Sequence, residues 1–154
     1  LQRAHAHQGA SFVEIYTNCI VYNDGAFSSF AEKSTAADGE LVLEHGQPMI
    51  FGQDRDKGIR MKPGAIELEV VQLGVDGVTE ADLLCHDETN RVLAGLLGAM
   101  HNPEFPVAVG VLYCEDAEAY DTAVYQQVDA ARAADGVADI NTLLRSGATW
   151  TVGD

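Results

Sequence analysis

Two continuous apolar runs constrain the fold of this chain more than any other feature of its sequence. Phe12-Val13-Glu14-Ile15-Tyr16 is short, mostly apolar and rich in β-favouring residues, and residues 107–112 form the second run. Strands that are buried on both faces of a parallel sheet lack a regular alternation of apolar and polar residues. The two runs therefore predict an α/β fold.

The residues before the first run predict the end of a helix. Residues 1–9 end in Gly9, a residue that commonly closes helices, and no helix start signal precedes them. A helix end followed by a buried strand predicts the last βα unit of an α/β domain. Because the first residue is Leu1, we expect the chain to begin in the middle of a fold.

The stretch from residue 40 to residue 73 predicts short strands separated by turns. Residues 41–43 and 49–51 flank a turn-like linker, so they predict a small hairpin. Residues 58–61 are a further strand candidate. Residues 66–73 begin with alternating apolar residues and glutamates, which predicts a strand with one face in solvent.

Residues 83–134 follow a β-α-β-α order. Residues 83–86 are a strand candidate, residues 90–100 repeat apolar side chains at helical spacing, residues 107–112 are the second apolar run, and residues 119–134 predict another helix. This order suggests that the two strands lie side by side and parallel.

The C-terminal part of the chain predicts helices and an attached tail. The helix over residues 119–134 is expected to turn Val124 and Val128 inward. Residues 140–145 predict one or two further helical turns. The tail carries the only tryptophan, Trp150, and we expect this aromatic side chain to be docked.

Composition limits the classes of partner. The chain has 154 residues, 47% of them hydrophobic, which suits one domain or part of one. Asp and Glu outnumber Lys and Arg by 24 to 9, giving a formal charge of −15. A phosphate backbone or an anionic membrane surface would be repelled, so we expect neither nucleic acid nor membrane as a partner. The same composition would also suit a high-salt cytoplasm.

The cysteines favour a reducing compartment. Cys19, Cys85 and Cys114 form an odd set without close spacing, unlike the disulfide framework of a secreted protein. No apolar run is long enough to span a bilayer and no signal segment opens the chain, so we expect a cytoplasmic location. Cys85 and Cys114 lie within or beside apolar strand candidates, which favours a packing role for both.

Several other site candidates are weak. His5 and His7 would diverge on a helix, so they are not expected to share a metal. Residues 54–58 resemble the start of a calcium loop, but the glycine comes one place early and Ala65 replaces the closing glutamate. Glu14 would be a site candidate only if the first strand buried it. No phosphate-binding loop or serine-histidine-acid arrangement is recognisable.

The segment Thr17-Asn18-Cys19-Ile20-Val21-Tyr22-Asn23-Asp24-Gly25 carries the strongest functional signal. Cys19 follows the first predicted strand, and α/β folds bind ligands beyond the carboxyl ends of their strands. With the residues before it, this segment resembles the beta subunit of 2-oxoacid:ferredoxin oxidoreductases. Residues 43–52 resemble the family's hairpin after the cofactor domain, and residues 143–144 with 149–152 resemble the C-terminal end found in many members. In that family an Asn-Cys element followed by Asn-Asp supplies the fourth ligand of a 4Fe-4S cluster, so the resemblance makes Cys19 a metal ligand.

The resemblance implies a C-terminal portion of a larger subunit. Residues 1–27 would be the end of a thiamine diphosphate-binding domain, and residues 28–154 the small mixed α/β C-terminal domain with its docked tail. The three other cluster ligands and the residues that hold thiamine diphosphate and Mg²⁺ would lie upstream. Catalytic residues are therefore unknown, no cofactor-binding residue is assigned besides Cys19, and the segment alone is expected to be inactive.

The implied reaction is the oxidative decarboxylation of a 2-oxoacid with coenzyme A to acyl-CoA, carbon dioxide and reduced ferredoxin, with 2-oxoglutarate as the first choice of substrate. The implied partners are the alpha subunit and ferredoxin. Because ferredoxins are usually acidic, docking is expected on a locally basic patch or on the alpha subunit. Two alternatives remain open: a stand-alone α/β interaction or dimerisation module, and a thiamine enzyme without a cluster.

Overall fold

The computed structural model describes residues 1–136 and 139–153. The chain divides into two compact units. Unit 1 contains residues 12–115, and unit 2 contains residues 2–11 together with the chain from Asp116 onward. Both helices and strands are present, in parallel and antiparallel sheets, so the fold is a mixed α/β one and this part of the prediction is confirmed.

Short elements build both units. The strands are β1 (Glu40–Leu43), β2 (Ile50–Phe51), β3 (Lys57–Met61), β4 (Leu68–Gln72) and β5 (Val107–Gly110). The helices are α1 (Gln2–Ala6), α2 (Ser28–Ala31), α3 (Ala36–Gly39), α4 (Arg91–Gly98), α5 (Tyr120–Asp135) and α6 (Ile140–Leu144), and a 3₁₀ turn covers Glu80–Asp82. Strand β1 pairs with β5 in parallel, while β2, β3 and β4 form an antiparallel sheet in that order.

The core of unit 1 joins both sheets to helix α4. Apolar side chains alternate inward along β1 and recur four residues apart on α4, so each element presents one apolar face. The buried cluster consists of Leu41, Leu43, Met49, Phe51, Ile59, Leu93 and Leu97. This cluster is the main source of hydrophobic stabilisation in unit 1.

Helix α4 begins where the sequence provides a cap. The side-chain oxygen of Asn90 accepts hydrogen bonds from the backbone N–H groups of Val92 (3.0 Å) and Leu93 (3.1 Å). Two N–H groups that would otherwise lack partners are thereby satisfied. The predicted helix over residues 90–100 is confirmed, with Leu93 and Leu97 as its buried face.

A glycine allows helices α2 and α3 to pack closely. A Cβ atom on Gly39 would lie 2.6 Å from both the Cα and the Cβ atom of Phe30. Backbone atoms cannot retreat from such a contact as a flexible side chain can, so glycine is required here for steric reasons. Phe30 is buried at this contact, and Gly39 directly precedes strand β1.

His86 is the buried polar residue of unit 1. Its Nε2 lies 2.8 Å from the carbonyl oxygen of Val111, and its backbone bonds to residues 46 and 47. The Nδ1 atom has no hydrogen-bond partner among the residues that the structure describes. Through its ring and its backbone, His86 thus connects the chain after β5 to the linker between β1 and β2.

Two expected pairings in unit 1 are wrong. Residues 41–43 and 49–51 do not form a hairpin, because β1 pairs with β5 and β2 pairs with β3. Residues 83–86 are not a strand beside the second apolar run. Their backbone groups bond irregularly to residues 46–49 and to Ile59, with a single bridge between Cys85 and Pro48, whose nitrogen has no hydrogen to donate.

The strands over residues 58–61 and 66–73 are confirmed as β3 and β4. They pair antiparallel in a register that places Arg60 opposite Glu69, and the two side chains form an ion pair of 2.6 Å. The pair is partly buried, so it helps to fix the register of the hairpin.

Residues 12–16 do not form a strand. They lie in a stretch without regular secondary structure, and Phe12 is 92% exposed. The described chain provides no neighbouring strand for this run, and a single strand cannot satisfy its own backbone hydrogen bonds. The expected βα unit with a buried strand is therefore not found, and Glu14 is exposed.

Unit 2 contains α1, α5 and α6. The helices predicted over residues 1–9, 119–134 and 140–145 are confirmed, with Gly9 at a φ of +125° after α1. The inward orientation of Val124 and Val128 is wrong, because both side chains are exposed. Trp150 is also exposed, so the expected docking of the tail is not observed. Among the described helices, none combines the length and apolar character needed to cross a bilayer.

Candidate functional site

Cys19 lies at the start of a tight turn on the surface of unit 1. The backbone N–H of Asn23 donates to the carbonyl oxygen of Cys19 over 2.9 Å, and the two residues form an isolated antiparallel bridge. The three residues between them therefore project as a loop, and the thiol of Cys19 is exposed to solvent.

The side chain of Asn18 holds this turn together. Its Nδ2 donates to the Oδ1 of Asp24 over 2.9 Å, and its Oδ1 accepts from the backbone N–H of Gly25 over 3.0 Å. Gly25 has a φ of +74°, a left-handed conformation that glycine adopts without strain. Asn18 thus ties the residue before Cys19 to the end of the turn.

The turn directs backbone amides at the Cys19 sulfur. Hydrogen bonds from the backbone N–H groups of Tyr22 and then Val21 lower the pKa of the Cys19 thiol below its usual value of 9.0. Desolvation opposes this shift in part, and the N–H of Asn23 adds a smaller lowering contribution. Hydrogen bonds to an anion favour its charged form. Because the thiolate is the form that binds metals, this environment suits a metal ligand or a reactive thiol.

An aromatic cluster anchors the segment that precedes Cys19. The ring of Tyr16 meets the rings of Phe27 and Phe30 edge-on, with centroid separations of 5.3 Å in both cases. Edge-to-face contacts of this kind favour a defined ring geometry. Phe30 is buried, so Tyr16 fastens one end of the Cys19 segment to unit 1.

Within the part of the chain that the structure describes, Cys85 and Cys114 do not form a metal site together with Cys19. Within residues 1–136 and 139–153, no group of three or more His, Cys, Asp or Glu side chains could hold a metal ion. Cys85 forms the bridge with Pro48, and the backbone N–H of Cys114 donates to the carbonyl oxygen of Glu88. The described chain thus supplies one thiolate with amide hydrogen bonds, which fits one ligand position of a 4Fe-4S cluster.

The histidines of helix α1 and the segment 54–58 are not part of the Cys19 turn. His5 and His7 lie at the end of helix α1 and belong to no metal-binding group among the described residues. Residues 54–58 form a turn and the start of β3, where Lys57 pairs with Asp38 over 2.8 Å.

The sequence motif did not predict the role of Asn18 within this turn. The pairs Asn18-Cys19 and Asn23-Asp24 carried the resemblance, but the bond between Asn18 and Asp24 crosses the turn from one pair to the other. An amide side chain six residues before an Asp-Gly turn is the only signal that could have indicated the contact.

Comparison with known proteins finds a relative that aligns with nearly the whole chain. No family model and no solved structure matches the chain. The 2-oxoglutarate oxidoreductase subunit KorB of Mycobacterium tuberculosis (strain ATCC 25618 / H37Rv) is 28% identical over 155 aligned positions. The alignment covers 99% of this chain and 41% of that protein, so the chain spans less than half the length of its relative. The match confirms the family resemblance of the chain as a whole: nearly all of it is similar to part of a 2-oxoacid oxidoreductase beta subunit.

Proposed function

We propose that this chain is the C-terminal portion of the beta subunit of a 2-oxoacid:ferredoxin oxidoreductase. The similarity to KorB over 99% of the chain supports membership of such an enzyme complex. The observation that carries the site assignment is the Cys19 turn, in which backbone amides lower the pKa of an exposed thiol. Cys19 is then one ligand of a 4Fe-4S cluster whose other ligands come from outside this segment.

The proposed roles of the residues in the turn follow from their hydrogen bonds. Amide hydrogen bonds to a ligating thiolate stabilise its negative charge and tune the reduction potential of a cluster. The N–H groups of Tyr22 and Val21 would serve this purpose at Cys19. Asn18 is a positioning residue, because it holds Asp24 and Gly25 and so fixes the turn that carries those amides.

The wider reaction rests on the family resemblance. Thiamine diphosphate with Mg²⁺ would supply the carbanion chemistry of decarboxylation, the cluster would accept single electrons, and coenzyme A would accept the acyl group. The name of KorB supports 2-oxoglutarate as substrate. Residues 1–27 would close the thiamine diphosphate domain, and their apolar run would gain strand neighbours from that domain. The alpha subunit and ferredoxin are the proposed partners, and the segment alone would be inactive.

The test is a metal analysis of the complete gene product, purified anaerobically with its partner subunit. We expect iron and acid-labile sulfide in about a 4:4 ratio per protomer, together with the visible absorption of a cluster. Cys19→Ala should remove this absorption and the bound iron. Cys85→Ala and Cys114→Ala are matched controls that should retain both.

Other results would contradict the assignment in distinct ways. Equal loss in all three variants, or loss in none, would exclude Cys19 as the specific ligand. Bound thiamine diphosphate without iron would indicate a thiamine enzyme that lacks a cluster. Neither iron nor thiamine diphosphate would favour a stand-alone interaction module.

A further inference from the structure

The turn after Cys19 contains an Asp-Gly pair, a dipeptide that is prone to spontaneous cyclisation. Glycine has no side chain to shield its backbone nitrogen. The nitrogen of Gly25 would attack the Cγ atom of Asp24, a C–N bond would form, and one water would leave to give a five-membered succinimide. Water then adds back at either carbonyl of the succinimide. The product is aspartate or isoaspartate, with no net change in mass.

The geometry of the turn requires this pair and would not survive its conversion. Gly25 has a φ of +74°, a conformation that strains any residue with a side chain. Asp24 and Gly25 are both exposed, so water is available to open a succinimide. The backbone N–H of Ala26 donates to the carbonyl oxygen of Asn23 over 3.4 Å, and this bond spans the pair. Isoaspartate would add one carbon to the backbone between these two groups and would displace Asn23 from Cys19.

Asn18 holds both of the groups that must react. Its Nδ2 donates to the Oδ1 of Asp24 over 2.9 Å, and its Oδ1 accepts from the backbone N–H of Gly25 over 3.0 Å. Cyclisation requires the carboxyl carbon and the amide nitrogen to approach each other in a defined orientation, and the nitrogen to lose its proton. Both changes would break bonds to Asn18. One amide side chain can hold the two groups together because it is a donor and an acceptor at once.

The loop after β4 contains the same pair without such a side chain. Asp76 and Gly77 are exposed, in a turn where the backbone N–H of Val78 donates to the carbonyl oxygen of Val75 over 3.0 Å. Within residues 1–136 and 139–153, neither the Asp76 carboxylate nor the N–H of Gly77 has a hydrogen-bond partner. The Asp76-Gly77 pair is therefore an internal reference for the Asp24-Gly25 pair.

We propose that Asn18 protects the Asp24-Gly25 bond from conversion to isoaspartate. Asn18 holds the carboxylate and the backbone N–H in their hydrogen-bonded positions, away from the arrangement in which the carboxyl carbon and the nitrogen react. The side chain that shapes the turn thus also preserves its covalent structure. This role of Asn18 does not depend on a cluster at Cys19.

The test is an ageing experiment on the complete gene product, as wild type and as Asn18→Ala. After incubation at neutral pH, peptide mapping with electron-transfer fragmentation measures isoaspartate at residues 24 and 76. At residue 24, Asn18→Ala should accumulate isoaspartate at least about tenfold faster than wild type, the factor that corresponds to two hydrogen bonds of ordinary net strength. At residue 76 the two proteins should agree within about twofold, because the substitution is local.

Two further variants separate the bonds of Asn18 from a general loosening of the segment. Tyr16→Ala removes the ring contacts with Phe27 and Phe30 but retains Asn18, so the rate at residue 24 should stay within about threefold of wild type. Asn18→Asp keeps an acceptor for the N–H of Gly25 and loses the donor to Asp24, so its rate should lie between those of wild type and Asn18→Ala. In urea, which unfolds the turn, all of these proteins should convert equally.

Distinct results would overturn the protective role. One is an unchanged rate at residue 24 in folded Asn18→Ala. Another is an equal increase in Tyr16→Ala, or a parallel increase at residue 76, because either would indicate general loosening. Unchanged circular dichroism shows that each variant folds. Iron analysis of unaged wild type tests the cluster assignment separately, so the failure of one assignment leaves the other standing.

Discussion

The core of unit 1 and the segment from Phe12 to Gly25 contain similar apolar residues in opposite surroundings. Ile59 on β3 is fully buried in the core, whereas Ile15 is 65% exposed. The core is held by apolar packing, and the turn around Cys19 is held by the hydrogen bonds of Asn18. The difference shows that apolar content alone does not decide burial, because a strand needs neighbours to cover it.

The largest expected effect is a difference in stability between alanine variants of two isoleucines, one buried and one exposed. Ile59→Ala should lower the free energy of unfolding by about 2–5 kcal/mol, because it leaves a cavity in a packed core. Ile15→Ala should change it by less than about 0.5 kcal/mol, since the side chain is already largely in water. Urea unfolding of both variants measures the difference. Equal losses would mean that the segment is as tightly packed as the core.

A second experiment tests the close contact between Gly39 and Phe30, which lies next to the segment from Phe12 to Gly25. Gly39→Ala should destabilise unit 1 by about 1–3 kcal/mol, because the new methyl group would meet the backbone of Phe30 at 2.6 Å. Gly95→Ala is the matched control. It has nothing within 4 Å of the added atom and lies in helix α4, so it should stabilise by about 0.5–1 kcal/mol. Destabilisation by both substitutions would contradict the steric explanation.

The third prediction concerns the aromatic anchor of the segment. Tyr16→Ala should cost about 1 kcal/mol, because it removes two edge-to-face contacts with Phe27 and Phe30. Tyr22→Ala should have almost no effect, since Tyr22 is 90% exposed. Thermal unfolding of the two variants gives the comparison. An equal cost at Tyr22 would show that the loop itself is packed.

The smallest effect is on the chemistry of the turn. In a Cys85→Ser/Cys114→Ser background without bound iron, the rate of Cys19 alkylation by iodoacetamide should rise with pH and reach half its maximum below pH 9.0. The sign follows because a lowered pKa gives more thiolate at a given pH. Unfolding in urea removes the amide hydrogen bonds and should move this midpoint upward. An unchanged midpoint would show that the folded turn does not stabilise the thiolate.

The sequence predicted elements with a local cause better than it predicted their partners. The α4 helix has a cap at Asn90, directly before its first residue, and an apolar stripe along its own span. The β3–β4 strands are likewise close together in the chain, and their register follows from a short connection. Such elements need no information from distant residues.

The errors arise where distant residues decide the pairing. β1 has β2 as its nearest strand in sequence, yet it pairs with β5, whose residues follow helix α4. Residues 83–86 have the composition of a strand, but their backbone groups bond to two different neighbours. In each case the local sequence pattern correctly predicted an extended backbone. It could not identify the segment with which that backbone forms hydrogen bonds.

The site was predictable in part. The Asn23-Asp24-Gly25 turn after Cys19 was visible in the sequence. It is confirmed by the backbone N–H of Ala26, which donates to the carbonyl oxygen of Asn23 over 3.4 Å. The amides that face the sulfur depend on the path of the backbone through residues 20–22, which side-chain patterns do not encode. The assignment of Cys19 as a cluster ligand stays a prediction.

The parallel pairing of β1 with β5 also has a consequence for biosynthesis. A ribosome that has just completed Leu43 must still translate the whole stretch up to Gly110 before the matching strand exists. At elongation rates of about 5–20 residues per second this interval lasts several seconds, during which Leu41 and Leu43 have no final packing partners on β5. The nascent chain would therefore be vulnerable to aggregation in this window, and chaperones that hold emerging polypeptides would be most useful to it then.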